Sequence, residues 1–78
     1  MPSPTYTTVL SIVSQYVDPD KARDVIGRQL ANGGANPDSL DKAGLAKVLL
    51  GVTTATGLYV SDVTQRQDMV NRIKAAAA

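Results

Sequence analysis

Seven acidic side chains, eight basic ones, three tyrosines and scattered serines and threonines supply the reactive groups of this 78-residue chain. Cysteine and histidine are absent. Disulfides, thiolate zinc sites, imidazole ligands and nucleophiles of the cysteine–histidine kind are therefore excluded together. The remaining carboxylates, carbonyls and hydroxyls suit Mg²⁺ or Ca²⁺, but only where several converge. Every acid is an aspartate, and Asp18, Asp20 and Asp24 lie closest together in the sequence. Pro19 and Lys21 interrupt that spacing, and the glycine turn and distal glutamate of a calcium loop are missing, so these aspartates read as helix caps. Gly33-Gly34 is not followed by the Lys-Ser/Thr pair of a phosphate loop and reads as a helix terminator. Neither catalysis nor a bound cofactor or metal is expected.

Positioning these groups falls to four helical segments. Tyr6, Val9, Leu10, Val13 and Val17 share one helical face, which predicts a first helix from about Thr5 to Tyr16. Asp18-Pro19-Asp20 is a strong start signal: a capping carboxylate, a proline at the first helical position and an acid in the first turn. Ala22, Val25, Ile26 and Leu30 form the stripe of this second helix, and Asn32-Gly33-Gly34 ends it. Residues 35–40 read as a loop with one turn after Pro37. Asp41 caps a third helix whose stripe is Leu45, Val48, Leu49, Val52, Ala55, Thr56 and Tyr59, widened by Leu50 and Leu58. Gly44 and Gly51, seven residues apart, share a face that would permit close approach of another helix, although the favoured reading is glycines tolerated in a helix held by packing. Ser61 or Asp62 starts the fourth helix, with Val63, Met69, Val70, Ile73 and Ala77 as its apolar face.

The expected architecture is a single all-α, compact four-helix domain over residues 1–78, with residues 1–4 as a flexible N-terminus. Its core must be aliphatic, because there is no Phe or Trp. So short a chain buries a limited fraction of its surface, and it has neither disulfide nor metal to reinforce it. A second copy is the simplest source of further burial. The formal charge of +1 argues against a nucleic-acid partner. No run of apolar residues is long enough to cross a membrane, and the N-terminus lacks the pattern of a secretory leader, so a cytoplasmic location is expected.

Two sets of residues are candidates for contact with a partner. Arg28 and Gln29, late in the second helix, offer a forked donor and an amide beside the apolar stripe. The bland alternative leaves Arg28 solvated and has Gln29 pinning the loop around Asn36 and Asp38. With Leu45, Leu49 and Val52, the Arg28–Gln29 pair makes the candidate interface, and self-association is expected through exposed apolar surface on helices one and three. The second set, Arg66, Arg72 and Lys74 on the fourth helix, would serve a DNA-binding regulator, although Asp62 and Asp68 share that helix.

Arg28-Gln29, Gly33, Pro37-Asp38-Ser39-Leu40 and the capped apolar run Asp41 to Leu49 together give the stretch Asp18–Leu49 a form that resembles small helical accessory segments of bacterial signalling proteins. The resemblance covers less than half of the chain and rests on common helix punctuation. It implies an interaction or adaptor role without catalysis.

Overall fold

The computed structural model describes all 78 residues, Met1–Ala78. Helix α1 spans Pro4–Ser14, α2 Pro19–Asn32, α3 Lys42–Gly57 and α4 Val63–Ala77, and no strand is present. The fold is all-α with four helices, as the periodicity predicts.

Each helix begins on an oxygen that accepts an otherwise orphaned backbone N–H. Ser3 Oγ accepts from Tyr6 at 3.1 Å, and Asp18 Oδ1 from Asp20 at 2.9 Å. Asp41 Oδ1 accepts from Gly44 at 2.7 Å, and Asp62 Oδ1 from Gln65 at 3.0 Å. Three of the seven aspartates are thereby caps. Helix α2 ends where Gly34 takes φ +74, a conformation that penalises any Cβ, and the Ala35 N–H reaches back to the Leu30 carbonyl at 2.8 Å.

The first residues are part of the fold rather than a loose tail. Ser3 is buried, and its N–H donates to the Pro37 carbonyl at 2.9 Å, which ties the start of α1 to the α2–α3 loop. Only Met1 is fully exposed among the large apolar residues there.

The helices form a ring. α1 packs on α2, α2 on α3, α3 on α4, and α4 back on α1, while α1 and α3 meet only weakly across the diagonal. Tyr6, Val9 and Val13 of α1, Ala22, Ile26 and Leu30 of α2, Leu45, Val48 and Val52 of α3, and Met69 and Ile73 of α4 close one core, with Leu40 and Val60 from the connections.

Helix α3 turns its expected face inward, with Leu45, Val48, Val52 and Thr56 buried, but that face is not widened by Leu50 and Leu58. Thr53 and Thr56 are buried, whereas Leu50 and Leu58 stand 80% and 82% exposed. The threonines can face the core because each hydroxyl donates to a carbonyl of its own helix, Thr53 to Leu49 at 2.9 Å and Thr56 to Val52 at 2.7 Å. A hydroxyl satisfied within its own turn carries little burial penalty. In α4, Val63, expected on the apolar face, is 72% exposed beside the cap.

Candidate functional site

Arg28 and Gln29 lie on the edge of α2 that faces the C-terminal half of α3. With Val25, Ala55, Leu58 and Tyr59 they line a shallow groove of about 120 Å³. Gln29 does not pin the α2–α3 loop. Its side chain lies against Gly51, where a Cβ would come 2.7 Å from Oε1, so the missing side chain of α3 makes room for an amide of α2. The loop is held by its own Asn36, whose Oδ1 accepts from the Asp38 N–H at 2.8 Å, and by Ser3. Gly44 makes no such helix contact and lies beside Asp41 and Leu40, as a tolerated glycine would. Arg28 is solvent-exposed and pairs with Asp24 at 3.2 Å, one turn back. Lys21 Nζ sits 5.5 Å from the centroid of the Tyr59 ring, within cation–π range.

The structure divides the five candidate interface residues. Arg28 and Gln29 share the groove. Leu45 and Val52 are completely buried in the core and present nothing to a partner, and Leu49 is half-buried against that core. Their helical spacing identified the apolar face of α3 correctly, but that face is turned inward. The ring also sets α1 and α3 at opposite corners, so one continuous contact surface across helices one and three does not form.

What the sequence pattern missed is the opposite face. Ala46, Leu50, Thr54 and Leu58 follow one another at four-residue steps and are all exposed. This is one ridge of the helix, alternating small and large. Four of the five exposed large hydrophobic residues, Leu50, Leu58, Tyr59 and Val63, lie between positions 50 and 63. A detectable signal was present: the stretch 48–61 contains no charged residue, so no charge lies near the leucines outside the core stripe.

The candidate DNA contacts are largely engaged within the protein. Arg66 Nε donates to the Val60 carbonyl at 3.0 Å, with its methylenes over Gly57, and so pins the α3–α4 connection. Arg72 pairs with Asp68 at 3.3 Å and donates to Gln15 Oε1 at 2.9 Å. Lys74 alone of the three makes no ion pair or hydrogen bond. Beside Arg72, the Tyr16 hydroxyl donates to Asp68, which raises the phenol pKa above its ordinary value. Desolvation and the Asp68 charge add to the shift, and the Arg72 charge opposes it.

Of the three closely spaced aspartates, Asp18 caps α2, Asp20 pairs with Arg23 at 3.3 Å and Asp24 pairs with Arg28, and no cluster of three acids converges anywhere. Ser39-Leu40-Asp41-Lys42 has the S-x-x-K spacing, which needs both side chains on one helical turn. Ser39 precedes α3, Lys42 begins it, and no hydrogen bond joins them. A polar depression of about 210 Å³ between the α2 terminus and the start of α3 is lined by Asn36, Ser39, Asp41 and Lys47 among others. The Asp41 carboxylate already occupies the N-terminus of α3 there. No helix is long and apolar enough to cross a membrane. Comparison with protein-family models, curated proteins and solved structures found no match.

Proposed function

We propose that the chain is a non-catalytic helical protein–protein interaction module, a cytoplasmic adaptor or regulatory element that associates with itself. One observation carries the reading: the exposed apolar residues gather on the outer face of α3 and its junction with α4, with Leu50, Leu58 and Val63 each more than 70% exposed. Single exposed leucines are common on soluble proteins, but a group on one face marks a contact surface. The aliphatic core of so small a domain adds to the case, since a partner chain supplies burial that neither disulfide nor metal provides.

Absolute molar mass by light scattering across a wide concentration range tests it. A dimer that dissociates on dilution is expected. A mass of 8.2 kDa at every concentration would refute self-association.

A further inference from the structure

We infer that the self-contact is an antiparallel pairing of α3 with α3 of a second copy, in a register that sets Leu58 against the partner's Ala46 and Leu50 against the partner's Thr54. This rests on the self-association proposed above and specifies its geometry. A closed two-fold contact must be self-complementary, because the same surface serves both chains. The ridge Ala46–Leu50–Thr54–Leu58 meets that condition when reversed. With the axis crossing the outer face midway between Leu50 and Thr54, each exposed leucine faces a small residue, and large side chains alternate with small ones along the contact.

Charge points to the same direction. The only charged residues of α3 are Lys42 and Lys47, both exposed and both in its N-terminal half. Neither is in an ion pair. Helix α3 has no basic residue in its last turn to complement its carbonyl end, and the next charge along the chain is the exposed carboxylate of Asp62. Reversing one copy brings Lys42 and Lys47 over the uncharged, carbonyl-rich end of the other, and Lys42 toward the partner's Asp62. A parallel pairing would instead stack like charges and put leucine against leucine. The other helices offer no comparable ridge: α1 exposes no large apolar residue, the outer face of α2 carries Asp20, Arg23, Asp24 and Arg28, and α4 exposes only Val63 at its start.

The absence of native cysteine makes the register directly readable by introduced thiols. An equimolar mixture of Ala46→Cys and Leu58→Cys chains should form a disulfide-linked heterodimer under mild oxidation. Ala46→Cys alone should not cross-link, since antiparallel pairing holds its two copies about 18 Å apart along the axis, against a limit of about 7 Å between bridged Cα atoms. Cross-linking of Ala46→Cys to itself, or of no pair, in a wild type that dimerises would overturn the inference. Independently, Leu50→Asp should keep its helical circular dichroism and halve the mass to 8.2 kDa. A Leu50→Asp protein that stays dimeric defeats the α3 pairing but leaves self-association standing. A wild type that is monomeric throughout defeats both.

Discussion

At the scale of single residues, Tyr16 has the most consequential environment. Its hydroxyl donates to Asp68, Arg72 lies 6.0 Å from its ring and pairs with the same carboxylate, and Gln15 accepts from Arg72, so four polar side chains tie the end of α1 to α4. The bond to Asp68 is the main cause of the raised phenol pKa, because ionising the phenol destroys the donor. The folded value then lies above the unfolded value near 10. The stability this bond contributes is fully present below that unfolded value and is lost as pH rises through the folded one. Denaturation of wild type and Tyr16→Phe should therefore show a gap that is constant from neutrality to about pH 10 and closes above it. Asp68→Asn should lower the Tyr16 titration, read from the ultraviolet absorbance of tyrosinate. The absence of any gap at neutral pH, or a gap that persists unchanged well past about pH 10, would show that ionisation of this hydroxyl is not linked to folding. The Asp68–Arg72 pair was legible from its four-residue, acid-first spacing, but the bonds from Tyr16 and Gln15 were not, because residues 16 and 68 meet only through the closure of the ring.

Within the elements, glycines that look alike in sequence have opposite consequences. A Cβ at Gly33 would lie 2.3 Å from Val48 Cγ1, part of the core, whereas one at Gly27 meets nothing within 4 Å. Gly33→Ala should destabilise by about 1–3 kcal/mol through forced repacking, and Gly27→Ala should stabilise by about 0.5–1 kcal/mol through helix propensity. Chemical denaturation of the two variants checks both signs, and equal signs would contradict the packing described. The same contrast explains what the sequence could convey. Helix starts at Asp18, Asp41 and Asp62 and the stop at Gly34 were legible, because caps are satisfied within three residues of themselves. The inner face of α3 was legible too, Thr56 included, but its width was not, because Thr53 satisfies its hydroxyl locally and is buried where Leu50 and Leu58 are not. With Leu45 and Val52 inward, the helical pitch leaves Leu50 and Leu58 outward. The candidate contact therefore moves from the Leu45–Val52 face to the one opposite, while Arg28 and Gln29 remain at an accessible groove.

For the molecule as a whole, the ring order distributes charge unevenly. α1 carries no charged residue and α3 only two, whereas α2 and α4 carry the rest of the helical charges, so charge-poor and charge-rich helices alternate around the ring. Short connections make successive helices neighbours, and in the closed ring α1 and α3 stand at opposite corners, which the expected surface across helices one and three did not take into account. The core and the outer face of α3 should then respond to substitution in different ways. At roughly 0.05–0.15 kcal/mol per residue, the 78-residue chain has about 4–12 kcal/mol of stability in all. Leu45→Ala, emptying a fully buried position, should cost about 2–5 kcal/mol and lower the thermal midpoint by roughly 10 °C or more. It should do so at every protein concentration, because it weakens the subunit itself. Leu50→Asp changes no core contact, so its midpoint should match that of dilute wild type. If assembly stabilises the fold, the wild-type midpoint rises with concentration by mass action, and Leu50→Asp should abolish that rise while Leu45→Ala retains it. Scanning calorimetry of the three proteins over a hundredfold range of concentration separates the two effects. A Leu50→Asp midpoint that still climbs with concentration would place the contact away from α3, and a flat wild type would leave the four helices self-sufficient.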